Sequence, residues 1–305
     1  MELTPVRIKW LAAAITLVLV SGIFVTSWLL VPVPEEYVAP VVEEPEPEPE
    51  PVTSVESMIG TSVEGRAINA ITFGEGDTHL LFVGGMHGGY EWNSVLLAYQ
   101  FIDYLDANSD VIPPGLKVSI IPKLNPDGVF AVVGLEGRFS AADVPADAPT
   151  APGRFNANEV DLNRNFDCKW QPESSWRGAT VSAGTAPFSE PEAAALRDFV
   201  LKTEPDAVVF WHSQANTVYA SECEAGVLPK TLEIMDDYAN AASYNSVASF
   251  DAYPVTGDAE GWLASINIPA ITVEMETHET IEWERNLAGV KALFASYSTN
   301  DEPAR

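Results

Sequence analysis

LLFVGGMHGGYEWNSVLLAYQFIDYL, residues 80–105, changes its period in the middle. It opens on a short apolar run, LLFV (80–83), of the length and character of a buried strand. A glycine-rich turn follows. From about Asn93 to Asn108 the apolar positions then recur at helical spacing, with Leu97, Phe101 and Leu105 on one face. Strand, tight turn and helix in immediate succession make the repeating unit of an α/β sheet. His87 stands inside the turn, and Glu91 follows four positions later.

The same alternation continues along the chain. LKVSIIP (116–122), AVVFW (207–211) and AITVE (270–274) read as further buried strands. SEPEAAALRDFVL (189–201) reads as a helix, with Ser189 and Glu192 in capping-box spacing. TIEWERNLAGVKALFASYS (280–298) is a closing helical segment. Residues 131–160, rich in Ala, Asp, Gly and Pro, read as a long loop of the kind that often carries function. The expected fold is therefore α/β, a mixed, largely parallel sheet with helices on both faces. His87 follows one strand, His212 follows another, and Glu274 ends a third. In such sheets ligands gather beyond the carboxyl ends of the strands.

The N-terminal part is of another kind. Residues 10–34, WLAAAITLVLVSGIFVTSWLLVPVP, carry no charge and are long enough to span a bilayer. Arg7 and Lys9 precede the run, Glu35 and Glu36 follow it, and Trp10 and Trp28 lie near its two ends. The reading is a cytoplasmic N-terminus (1–9), a transmembrane signal anchor (10–33) and an exported remainder, with a cleaved export signal as the alternative. PEEYVAPVVEEPEPEPEPVTSVES follows; residues 34–57 form a Pro/Glu-rich linker that cannot build a core and stays extended. Residues 58–305 are then one domain. The 44 acidic against 16 basic residues, a formal charge of −28, exclude a nucleic-acid surface. Cys168 and Cys223 are the only cysteines, and outside the cytoplasm such a pair is expected to form a disulfide.

His87, Glu91 and His212 make up a His2Glu donor set, the kind a catalytic zinc takes while keeping one position for water. Glu274 is the candidate general base. His79, just before a strand, reads as exposed, and His278 is a weaker competitor for the third ligand position.

With these residues assembled, the chain resembles the M14-type zinc carboxypeptidases, whose hallmark is H-x-x-E, a distant Asn-Arg pair, a third His and a late Glu. Here the first motif carries one extra residue, His87-Gly88-Gly89-Tyr90-Glu91, with the insertion absorbed by the glycines. VDLNRNF (160–166) is similar to the segment that presents Asn and Arg, here Asn163 and Arg164, to a substrate's terminal carboxylate. NPDGV (125–129) resembles the family's turn after the second strand, and HSQ (212–214) its third-ligand segment. The resemblance implies Tyr253 as a mobile tyrosine closing over the scissile bond. It also implies an arginine at the oxyanion. Position 146, at about the expected spacing, is Ala, which leaves Arg154 and Arg138 as candidates, with Arg154 preferred. Glu260 falls where the family reads the terminal side chain, and an acid there would suit Lys, Arg or diaminopimelate.

The resemblance implies one zinc per chain and a metallocarboxypeptidase acting near a free carboxylate. A cell-wall (murein) peptide amidase of the same fold, an amidohydrolase acting on small acylated amino acids, and a non-catalytic peptide- or wall-binding module are the alternatives. The expected partners are a peptide or wall peptide and, through the anchor, a membrane.

Overall fold

The computed structural model describes residues 54–147, 149–250 and 253–298. The expected anchor and almost all of the expected linker lie outside them. Among the described residues no helix is long and apolar enough to cross a membrane.

In chain order the first strands are β1 (Val55–Thr61), β2 (Ala67–Phe73), β3 (Thr78–Val83) and β4 (Leu116–Ile121). Then come β5 (Glu173–Trp176), β6 (Ala179–Ser182), β7 (Ala207–Ser213) and β8 (Thr217–Ala220). The last are β9 (Glu222–Cys223), β10 (Gly226–Val227), β11 (Asn245–Val247) and β12 (Ala270–Met275). The helices are α1 (Trp92–Ala107), α2 (Pro126–Val133), α3 (Pro191–Thr203), α4 (Pro229–Ala242), α5 (Ala259–Ser265) and α6 (Trp283–Ser298). Eight strands form one sheet in the order β1-β2-β4-β3-β7-β12-β8-β11. Its centre, β4-β3-β7-β12, is parallel, while β1, β2 and the β12–β8 pairing are antiparallel.

The period of two in the central strands assigns the faces. Leu80 and Phe82 of β3, Val209 and Trp211 of β7, and Ile271, Val273 and Met275 of β12 pack with α1, α4 and α6. In the middle of that layer Phe82 stacks on Trp211 and Phe101 meets both rings edge-on, at ring distances of 5.3–5.8 Å. The alternate residues, Leu81, Val83, Val208, Phe210 and Ala270, pack with α3 and α5 on the other face. By the same parity His212 continues the Val208–Phe210 side and Glu274 the Ala270 side. The two are partners in the parallel β7–β12 register, at the carboxyl end of the sheet.

Several local expectations change. β1 begins at Val55, so the last three residues of the expected linker belong to the sheet, as an exposed edge strand. The Ser189/Glu192 capping box does not form. α3 starts at Pro191, Ser189 donates to Glu190, and Glu192 is drawn inward to accept from the Val63 backbone and Asn156. NPDGV is the start of α2, with Asn125 capping it through Gly128 N, so the turn continues as helix. His79 is fully buried inside β3, its Nε2 at 2.8 Å from Ser119 Oγ. The sequence window had placed it before the strand rather than in it.

Candidate active site

The turn that carries His87 is closed by backbone contacts that only glycines permit. Gly88 has φ +45°, and a Cβ there would meet Gly153 O at 2.6 Å and Gly128 C at 2.8 Å. A Cβ on Gly89 would meet Val132 at 2.6 Å. The extra residue between His87 and Glu91 is thus taken up in a single 3-10 turn, Gly88–Glu91, from which α1 departs. The same contacts seat the short turn Ala151–Arg154 against the His87 turn, and so deliver Arg154.

His87 Nδ1 and His212 Nδ1 approach to 3.2 Å. Glu91 reaches both, Oε1 to His87 Nδ1 at 2.7 Å and Oε2 to His212 Nδ1 at 2.9 Å. All three side chains are buried. Donors held 2.0–2.1 Å from one zinc at a tetrahedral angle are about 3.3 Å apart, so the spacing fits that ion. Each ring turns its other nitrogen toward a buried carboxylate: His87 Nε2 lies 3.5 Å from Asp161 Oδ1, and His212 Nε2 lies 3.4 Å from Glu260 Oε1. Among the described residues neither Nε2 has a closer hydrogen-bond partner. A carboxylate behind each imidazole fixes the ring and strengthens its ligating nitrogen.

The electrostatics follow from that packing. Burial opposes charge on Glu91, yet His87 and His212 hold its carboxyl well below the usual range. Burial likewise works against a charged His212, but Glu91 and Glu260 outweigh it and raise its basicity. Asp161 is fully buried and still held low, chiefly by Arg154, whose Nε donates to it at 2.9 Å. Glu274 differs. Burial, and the neighbouring Glu91 carboxylate, push its carboxyl up to about 7. A cation held by the triad would favour the ionised form and lower that value.

His87, Glu91, His212, Arg154, Asn163, Arg164, Tyr253, Glu260 and Glu274 all line one cleft of about 940 Å³. Arg154 Nη1 is 3.2 Å from His87 Nδ1 and 3.8 Å from Glu91 Oε1. Arg138 is elsewhere, exposed, paired with Asp103 and stacked on Tyr99. Asn163 Oδ1 accepts from Ala259 N, which joins its loop to α5. Arg164 is buried, with Nη1 donating to Asn163 O and Nε without a partner among the described residues. Tyr253 stands half in solvent at the mouth, edge-on to Phe250. Glu260 does not project freely into the cleft. It is buried between His212 and Thr272, from whose Oγ1 it accepts at 3.1 Å, so its carboxylate braces a ligand. His278 is not among the donors; its Nδ1 meets Ser213 Oγ. Cys168 and Cys223 are bonded, with Cα atoms 6.1 Å apart, and tie the segment after Arg164 to β9. Closing a loop of that length constrains the unfolded chain by roughly 4 kcal/mol.

Residue-by-residue reading missed Asp161, Asp258 and the wall of Tyr90 and Trp176. Asp161 had a signal, being an acid between Val160 and Leu162 that occupies a fully buried position. Asp258 caps α5 through Gly261 N and also lines the cleft.

A family model for zinc carboxypeptidases (Peptidase_M14) matches residues 48–288. Among curated proteins, γ-D-glutamyl-L-diamino acid endopeptidase 1 of Lysinibacillus sphaericus is 26% identical over 240 residues, 71% of this chain and 59% of that protein. Murein peptide amidase A of Escherichia coli K12 is 30% identical over 152 residues, 47% of this chain and 57% of the relative. The chain thus spans somewhat under three fifths of the length of these relatives. Bovine thrombin-activatable fibrinolysis inhibitor, solved with a tick carboxypeptidase inhibitor, shares the fold at TM-score 0.63 and 18% identity, covering 83% of this chain and 92% of that one. With the donor triad, its buttressing carboxylates and a family match that runs through nearly the whole described fold, the chain belongs to the M14 zinc carboxypeptidase family.

Proposed function

We propose that this protein is a zinc metallopeptidase that hydrolyses an amide bond close to a free carboxylate of its substrate. The observation that carries the reading is the convergence of His87, Glu91 and His212 to within hydrogen-bond distance of one another, beside Glu274 and Arg154 in one cleft. Zinc held by the triad supplies Lewis-acid polarisation and lowers the pKa of water. The chain's own residues do the rest. Arg164 and Asn163 take the substrate carboxylate, for which a guanidinium fork is geometrically suited, and Arg164 Nε is a buried donor left for it. Glu274, ionised beside the bound cation, takes a proton from the attacking water on its carboxylate and returns it to the leaving amine. Arg154, oriented by Asp161, faces the charge that develops on the carbonyl oxygen. Tyr253 closes over the bound end.

For the substrate, a murein-type peptide is the favoured second reading, and Asp258 is the observation behind it. Burial and the neighbouring Glu260 push its carboxyl up to about 6, against the opposing pull of the Arg164 charge. A substrate bringing an ammonium beside its carboxylate, as diaminopimelate does, would satisfy both residues. The Pro/Glu linker and apolar N-terminus support a tethered enzyme outside the cytoplasm. The test is to incubate zinc-loaded full chain with peptides ending in Lys, Phe or Glu and with a diaminopimelate-containing wall tripeptide, reading products by mass spectrometry. Loss of single C-terminal residues, absent in Glu274→Gln, supports the carboxypeptidase; cleavage of the wall peptide alone moves the assignment to the amidase. No product from any substrate defeats both.

A further inference from the structure

At the wall of the cleft, three polar residues form a chain that the chemistry above leaves unused. Asn93, the second residue of α1, is fully buried. Its Nδ2 donates to the carbonyls of Thr277 (2.8 Å) and Thr280 (2.9 Å), which occupies both of its hydrogens. The reverse amide orientation would set Oδ1 against two carbonyl oxygens. Oδ1 therefore faces Ser213, whose hydroxyl donates to it at 3.0 Å. Ser213 has one proton and has now used it. His278 Nδ1 lies 2.7 Å from the same hydroxyl oxygen, so the proton of that bond comes from the ring.

His278 is thereby held as the Nδ1–H tautomer, and its Nε2 carries a lone pair. No hydrogen-bond partner for Nε2 exists among the described residues. Burial lowers the basicity of the ring. The ring packs edge-on to Tyr90 at 4.7 Å, Tyr90 packs on Trp176 at 5.2 Å, and all three line the cleft. Tyr90 adjoins the ligand Glu91 and Ser213 adjoins the ligand His212. The wall thus adjoins the candidate metal ligands. A substrate with its carboxylate at Arg164 and its scissile bond at the triad would have this wall, in the same cleft, open to its acyl portion.

We propose that His278 is a specificity-determining residue. Its Nε2 accepts a hydrogen bond from an N–H on the acyl side of the scissile bond, and Asn93 and Ser213 fix the tautomer that makes this possible. The substrate contact rests on the peptidase reading above; the tautomer does not.

Two measurements on the zinc-loaded full chain test it. Long-range 1H–15N correlation with labelled histidine should show His278 protonated at Nδ1 and bare at Nε2, with the preference lost in Ser213→Ala. A bare Nδ1 overturns the proposal. The second measurement compares kcat/KM for a cleaved peptide and its analogue N-methylated at the acyl-side amide. Wild type should prefer the N–H peptide by about tenfold, the worth of one neutral hydrogen bond. His278→Phe, which keeps a ring against Tyr90 but has no acceptor, should erase the preference, and His278→Gln should restore part of it. A preference that survives in His278→Phe overturns the proposal. A wild-type chain that binds zinc and cleaves neither peptide overturns the peptidase reading and the substrate contact with it, while the tautomer is still decided by the spectrum.

Discussion

The two histidines of the donor triad reach the same point by different means. His212 stands on β7, and its direction is set by strand parity: Val208, Phe210 and His212 alternate onto one face, and Glu274 on β12 joins them in register. His87 stands on a turn, and its direction is set by close backbone packing among Gly88, Gly128 and Gly153. One half of the site is a consequence of local periodicity. The other depends on segments some 65 residues apart in the chain meeting without side chains between them.

That difference also marks what could be read in advance. An apolar run ending in His or Glu is a local pattern, so the sheet, its central strands and the positions of His212 and Glu274 were legible. The turn half was legible only through residue chemistry. Arg154 and Arg138 stand in similar loop sequence, and only the glycine contacts decide that Arg154 is buried against His87 while Arg138 faces solvent. Glu260 shows the same limit. Its spacing from Trp262 suggested a specificity residue, but the pitch of α5 turns it under His212. The outer strands β1, β2, β8 and β11 lack a strong apolar run and had no comparable signal.

Substitutions can break or sharpen the comparison. The largest effect belongs to the regular half: Glu274→Gln should lower kcat by about 10²–10⁴-fold with zinc content unchanged. The pH profile carries the sign of the same residue. A base must be ionised, so kcat/KM should fall as pH drops through the Glu274 pKa, which lies below its ion-free value of about 7 once zinc is bound. Arg164→Lys, measured on free and amidated peptides, should lose about 100-fold in kcat/KM on the free carboxylate alone, as the bidentate fork is lost.

The two buttressing carboxylates compare the halves directly. Asp161→Asn and Glu260→Gln should each weaken zinc binding by about 10–100-fold, measured by competition with a chelator. Only Asp161→Asn should also lower kcat in zinc-saturated enzyme, because Asp161, unlike Glu260, also holds Arg154. Equal kcat losses in the two variants would remove the distinction. The smallest effect expected is structural. Gly88→Ala, strained by its positive φ and by Gly153 O, should cost about 1–3 kcal/mol in thermal or urea unfolding.

The central claim is that these two dissimilar halves hold a single ion. Zinc stoichiometry and affinity should be measured on the full chain, on His87→Ala and on His212→Ala, with X-ray absorption reporting the ligands. One zinc per wild-type chain with two imidazole nitrogens, and binding weakened alike in both variants, is the predicted result. Wild-type affinity in either variant would show that the halves do not share a metal and would contradict the account.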